Sequence, residues 1–220
     1  MQFSTTPKTS EMEFIKKQEW RYATKKFDPH QKVSEENLEL IKRAVQLSTS
    51  SYGLQLYKVL IIEDPKTREK LLPASWNQSQ IVDASHLFVF CNYAEVKPHH
   101  IDQYIDLTAK TRQLNMEDLK GYGDFMKLKI GEQSNETQAS WTKHQTYLAL
   151  GNLLAVCADL QIDACPMEGF EAEKYNEILG LTEKGLNASL VAPIGYRSPE
   201  DNTQNLPKVR KPLELLFESI

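Results

Sequence analysis

No stretch of this 220-residue chain approaches the roughly 20 consecutive apolar residues that a membrane-spanning helix needs, so no membrane span is expected. The leading residues MQFSTTPKTSEMEF lack the apolar core and small-residue cleavage site of a secretory signal, and a cytoplasmic location is the expectation. Cysteine is scarce. Cys91, Cys157 and Cys165 are far apart, and no pair has zinc-site spacing. Their odd count builds no disulfide framework, and their apolar surroundings predict buried free thiols. Neither sign of charge dominates: 26 basic residues against 30 acidic ones leave a net charge of −4. That balance gives no basic face for nucleic acid, although a small anionic ligand needs only a few local cations. The familiar phosphate and acyl-transfer signatures are also missing. There is no G-x-G-x-x-G after the first expected strand, no Walker loop and no G-x-S-x-G elbow.

What the chain does contain is 40% hydrophobic residues and 25% charged ones, the balance of a globular protein. Its length suits a single domain over residues 1–220 with a core large enough to need no staples. Residues 10–24 read as a helix. Ser34 is an N-cap followed by Glu35 and Glu36, and Leu38, Ile41 and Val45 recur at helical spacing, so 35–48 reads as a second. The apolar run 57–62 reads as a strand, Asp64-Pro65 as the start of a short helix through Leu72, and 86–91 as a buried strand. Residues 97–132 read as helical with a break near Gly121 and Gly123. The longest periodic segment, 137–160, is apolar nearly all round after Tyr147, the pattern of a buried or interfacial helix. A short strand at 164–166, a helix at 171–179 closed by Gly180, and a strand at 188–195 complete the pattern. Strands spaced among many helices predict an α/β or α+β protein with one central sheet.

The chemistry-bearing candidates are polar residues at element ends. The adjacent pair His99-His100 cannot put both rings on one helix face, and reads as solvated surface. His86 opens an apolar strand and reads as a hydrogen-bonded core histidine. Arg21 and Lys25 are four apart near the end of the first helix, where cations complement a helix dipole. Asn77 and Gln80 precede the second strand. Pro166-Met167-Glu168-Gly169-Phe170 is a turn directly after a strand, and Lys208 and Arg210 form a second cationic pair. Each is weak alone.

Taken in order, these segments resemble the nitroreductase family of FMN enzymes. Arg21-Tyr22-Ala23-Thr24-Lys25-Lys26-Phe27 is similar to that family's R-x-S-x-K-x-F opening, and Ser48-Thr49-Ser50-Ser51-Tyr52-Gly53-Leu54-Gln55 to its P-S-x-x-N-x-Q-P-W loop. Pro166–Phe170 resembles its P-x-x-G-F turn, and Leu206-Pro207-Lys208-Val209-Arg210 its L-P-K-x-R. The resemblance spans about residues 14–212. It implies an α+β, three-layer α/β/α fold around a mainly antiparallel sheet, in a homodimer with swapped tails. It also implies FMN as cofactor, NADH or NADPH as hydride donor, and a small-molecule acceptor such as a nitroaromatic, quinone or pteridine, turned over by a ping-pong mechanism.

The implied roles follow residue by residue. Arg21, with its neighbours Tyr22 and Ala23, would meet the FMN phosphate together with Lys208 and Arg210, because a phosphate dianion suits guanidinium forks and a lysine point charge. Lys25 would sit at the pyrimidine edge, where a fixed cation stabilises reduced flavin, with Asn77 and Gln80 near the same edge. Glu168 and Gly169 would present a backbone N–H to flavin N5, with Pro166 and Met167 against a ring face. The catalytic set is thus Lys25, Glu168 and Gly169. Ser50, Ser51 and Gly53 would come from the other subunit, and Gln55 would reach the ribityl chain. Three departures stand out. Ala23 replaces a common serine, Gln80 a lysine, and Leu56 the proline of Q-P-W, which bears on flavin potential and acceptor range. Other flavin reactions on the same fold remain open: ene reduction, dehalogenation, flavin fragmentation, or flavin binding without turnover.

Overall fold

The computed structural model describes residues 9–220, with side chains from Glu13 onward. Residues 1–8, which carry part of the signal-peptide expectation, and the side chain of Met12 lie outside the described residues. At the centre is a sheet of β1 (Tyr57–Ile62), β2 (His86–Tyr93), β4 (Leu186–Gly195) and β3 (Asp163–Ala164), in the spatial order β1-β2-β4-β3. Every named pair is antiparallel. β2 is buried along almost its whole length because it is paired on both edges and covered on both faces.

The pleat sorts its residues. Leu87, Val89 and Cys91 enter one layer with Leu71, Ala74, Ile81 and Tyr175, from α3 (Pro65–Ala74), α4 (Gln80–Asp83) and α8 (Ala172–Leu179). Phe88 and Phe90 enter the other, with Leu38, Ile41 and Val45 of α2 (Glu35–Gln46) and Ala149, Leu150, Leu153 and Cys157 of α7 (Asn135–Asp159). The result is the expected three-layer α/β/α arrangement. On β4 the alternation switches phase. Phe90 pairs with Leu190 but Cys91 with Ala188, leaving Ser189 as the extra residue of a bulge. The Ser189 hydroxyl donates to Asn92 Oδ1 at 2.6 Å, so the extra residue is satisfied.

Local chemistry explains the element ends. Ser34 Oγ accepts from Asn37 N–H at 3.3 Å, capping α2, and Asp64 Oδ2 accepts from Thr67 N–H at 2.9 Å in front of Pro65 in α3. Gly180 closes α8 at φ 60°, as expected. Two expectations are corrected. Residues 97–132 do break, but at Gln113, which takes the left-handed conformation between α5 (Pro98–Arg112) and α6 (Met116–Gly131). α6 runs through Gly121 and Gly123. A side chain at Gly123 would meet Ile105 Cγ1 at 3.2 Å, so this glycine lets two helices approach rather than ending one. Secondly, the first helix, α1 (Thr9–Trp20), stops four residues short of Thr24.

The three cysteines are buried and free, as expected. His86 is buried with Nδ1 2.9 Å from Ser85 Oγ, also as expected. The rings of His99 and His100 meet, 4.1 Å apart; His100 also packs on Tyr93 at 4.4 Å and is half-buried, while His99 is exposed. Among the described residues no helix is long and apolar enough to cross a membrane.

Leu153 is fully buried between α2 and the sheet. Leu153→Ala is expected to cost about 2–5 kcal/mol of unfolding free energy in urea denaturation. A loss below about 0.5 kcal/mol, the range of an exposed position, would contradict this packing.

Candidate functional site

The segment after α1 is extended rather than helical. Arg197 is the reason. Its guanidinium carbon lies 4.2 Å from the centroid of the Trp20 ring and 4.6 Å from that of Tyr22. Buried Asp163 holds the other side of Arg197, with Oδ1 2.6 Å from its terminal nitrogen and Oδ2 accepting its backbone N–H at 2.8 Å. Stacking residues 20 and 22 on one cation demands an extended repeat, which a helix cannot supply. Ala23 then bridges Ala164 of β3 and Phe27 bridges Arg197, so the segment runs along the sheet edge. Arg21 and Lys25 therefore do not share a helix face, contrary to the spacing argument.

A second carboxylate ties this segment to the chain's other end. Asp201 Oδ2 accepts from Tyr22 Oη at 2.9 Å, Lys25 N–H at 2.7 Å and Lys26 N–H at 3.1 Å, while Oδ1 accepts from Thr203 N–H at 3.0 Å. Burial pushes the Asp201 carboxyl up, but these donors outweigh it and hold it down at about 2. Sequence reasoning missed Asp201, Arg197 and Asp163; a lone acid in a polar tail carries no signal of its own.

Between the two ends lies an open cavity of about 530 Å³. Arg21, Tyr22, Ala23, Pro166, Lys208 and Arg210 are all in its wall. Arg21 Nε donates to Gln18 Oε1 at 3.0 Å. Lys208 Nζ donates to Gln18 O at 2.8 Å and to the carbonyl of Arg21. Burial, then the neighbouring Arg210 charge, lowers the Arg21 pKa; burial, then Arg21 and Arg210, lowers that of Lys208. Glu19 also lines the wall, yet among the described residues none of the three cations has a carboxylate within ion-pair distance. Three mutually repelling cations held at one mouth are suited to an anion of high charge.

Of the other expected residues, Lys25, Asn77, Gln80, Met167, Glu168 and Gly169 are not part of this wall; they follow Pro166 in the turn or stand on neighbouring elements. Met167 exchanges backbone hydrogen bonds with Val191 at 2.8 and 3.0 Å. Gln78 Nε2 donates to the Gly169 carbonyl at 2.9 Å, and a side chain at Gly169 would meet the Trp76 ring at 2.9 Å, so the indole packs directly over this glycine. Glu168 Oε1 accepts from Tyr147 Oη at 2.8 Å. Asn77 is exposed at φ 56°, its backbone N–H donating to the Leu72 carbonyl at 3.0 Å. Gln80 is buried next to Cys165. Burial raises that thiol's pKa, and the Lys25 charge and the Gln80 amide oppose it. Gln78, Trp76 and Tyr147 were not legible as site residues.

The loop 50–55 is elsewhere. Ser50, Ser51, Gly53 and Gln55 are not part of the cavity wall. Ser50 Oγ accepts from Gln55 N–H at 3.0 Å, Ser51 N–H donates to Gln145 Oε1 at 2.7 Å, and Gln55 Nε2 donates to the Gln46 carbonyl at 2.8 Å. Gly53, at φ +77°, lies against Tyr104.

Comparison with known proteins decides the family. Residues 19–196 match the model of the nitroreductase family. The chain belongs to the nitroreductase family. A relative named major NAD(P)H-flavin oxidoreductase, from Aliivibrio fischeri, is 33% identical over 201 residues, covering 88% of this chain and 92% of its own. An oxygen-insensitive NAD(P)H nitroreductase from Salmonella typhimurium is 29% identical over 213 residues, 91% of this chain and 96% of its own. A structure from Exiguobacterium sibiricum, solved in complex with FMN, superposes with a TM-score of 0.80 at 20% identity over 99% of this chain and all of that one. The nitroreductase fold is thus shown together with the family.

An Asp201→Asn substitution keeps the side chain's shape but loses the charge behind four hydrogen bonds. It is expected to cost roughly 1.5–3 kcal/mol, the worth of one charge-assisted bond. Because the folded carboxyl sits at about 2 against an ordinary 3.8, its stabilisation is present above pH 4 and is lost as pH falls toward 2. Urea midpoints at pH 3 and pH 6 should show wild type losing stability on acidification by more than the variant does. Equal losses would refute the role.

Proposed function

We propose that this protein is an FMN-dependent oxidoreductase that takes hydride from NADH or NADPH and passes it to a small organic acceptor by a ping-pong mechanism. The observation that carries it is the cavity mouth, where Arg21, Lys208 and Arg210 meet with no carboxylate partner among the described residues, at the Pro166 end of the turn. The residues present fit a flavin mononucleotide. A phosphate dianion answers three cations gathered at the cavity mouth. The names of the Aliivibrio fischeri and Salmonella typhimurium relatives support the same chemistry. When bound, the flavin supplies two-electron hydride chemistry at its N5 atom.

The chain's own residues do the rest. Arg21, Lys208 and Arg210 hold the phosphate, with Tyr22 and Ala23 along the same wall. Lys25, Asn77 and Gln80 address the pyrimidine edge, and Lys25 favours the negatively charged reduced ring. Pro166, Met167, Glu168 and Gly169 border the ring, with a backbone N–H for N5. Ser50, Ser51, Gly53 and Gln55 complete the site of a second protomer. The apolar tail supports a homodimer: Leu213, Leu215, Leu216 and Phe217 of α9 (Leu213–Leu216) and its flank are each at least 60% exposed, a run of apolar side chains that a second chain would cover. A nitroaromatic, quinone or pteridine suits an open mouth of this size.

Three outcomes are expected. The purified protein carries or takes up FMN, and NADH or NADPH bleaches it anaerobically; a protein that binds no FMN, or bound flavin that neither donor reduces, would refute the reading. Lys25→Ala lowers the flavin midpoint potential by about 30 mV or more, equivalent to a tenfold step in a two-electron equilibrium; a potential that stays or rises in redox titration counts against its placement. Deleting residues 212–220 converts a dimer to monomer in light scattering, whereas a truncated protein that stays dimeric would remove the tail from the interface.

A further inference from the structure

The Glu168 side chain has no role in the account above, which uses only its backbone. It is nonetheless fixed at both ends. Its backbone follows Met167, paired with Val191, and precedes Gly169, held by Gln78. Its carboxylate accepts from Tyr147 Oη at 2.8 Å, across from the middle of α7. Burial, then the Glu168 acceptor, raises the Tyr147 pKa, so the phenol stays a donor at neutral pH. Among the described residues Glu168 has no ion-pair partner, although it is exposed. Ordering an unpaired carboxylate costs side-chain entropy, which is recovered when a positive charge comes to it.

The proposed reaction makes such a charge. Hydride, one hydrogen with two electrons, leaves C4 of the neutral dihydronicotinamide. The donor is oxidised to a pyridinium cation and the flavin is reduced at N5, with no further co-reactant. We propose that the Glu168 carboxylate, oriented by Tyr147, stabilises the positive charge that builds on the nicotinamide ring as hydride departs. Glu168 then acts as a catalytic residue through its side chain, and Tyr147 is its positioning residue. The inference rests on the flavin reading of the same site. It also gives the turn a division of labour: the amide after Glu168 faces the flavin and the carboxylate faces the donor.

The test uses FMN-loaded protein and two probes that cannot transfer hydride, the 1-methylnicotinamide cation and neutral nicotinamide, followed by flavin absorbance. Wild type should bind the cation at least tenfold more tightly than the neutral ring. Glu168→Gln should abolish that preference and slow anaerobic flavin reduction by NADPH or NADH about tenfold. Glu168→Asp should restore part of both. Tyr147→Phe should reduce the preference severalfold while the charge remains. An identical cation preference in wild type and Glu168→Gln overturns the inference and leaves the flavin reading standing. A wild-type protein that binds no FMN overturns both. If Glu168→Gln fails to hold flavin, Tyr147→Phe decides, and an unchanged preference there is fatal to the proposal.

Discussion

One carboxylate joins the two ends of the chain. Asp201 receives the Tyr22 hydroxyl and the Lys25 and Lys26 amides on one oxygen, and the Thr203 amide on the other. Each bond is ordinary. Together they fix the extended segment after α1 against the segment that leads to Lys208, and the cavity lies between them. The Arg197–Asp163 pair braces the same segment from the sheet side, with Trp20 and Tyr22 closed over the guanidinium. Loosening Asp201 would free Arg21 and Lys208 to separate, which their charges favour.

That repulsion is the chemical point of the site. Most cations on this protein either reach water or a carboxylate: Lys17 pairs with Asp159, Lys127 with Asp102 and Lys129 with Glu132. Arg21, Lys208 and Arg210 are gathered at one cavity mouth, where burial and the neighbouring like charges lower the pKa values of Arg21 and Lys208. Like charges gathered in a cleft favour a ligand of opposite charge as part of the functional state. The flavin account follows from this, and the nitroreductase family gives the reaction its class.

The sequence made the framework legible where local chemistry and tertiary packing agree. α2 is an example: the Ser34 cap and the Leu38, Ile41, Val45 spacing both survive as observed. The end of α1 was misjudged because Trp20 and Tyr22 obey a distant arginine rather than local propensity. Gly121 and Gly123 do not break α6: Gly123 serves close packing against Ile105, and Gly121 is carried inside the helix with open space around it. The site was legible only in pieces. Arg21 and Lys208 are 187 positions apart, and motif order, not spacing, associated them. Asp201, Gln78 and Tyr147 act through single contacts that no periodic pattern announces. The loop 50–55 is not part of the cavity wall, so no contact within the chain tests its expected role.

The central claim is that the cationic mouth is a phosphate site. The most direct test is the affinity of the flavin-free protein for FMN and for riboflavin, which differ only in that phosphate, measured by fluorescence titration in wild type and an Arg21→Ala/Lys208→Ala double variant. The account predicts that wild type prefers FMN by roughly 100-fold or more, about 2.7 kcal/mol, and that the double variant loses most of this preference. Equal affinities for FMN and riboflavin in wild type, or a preference untouched by the double substitution, would contradict it.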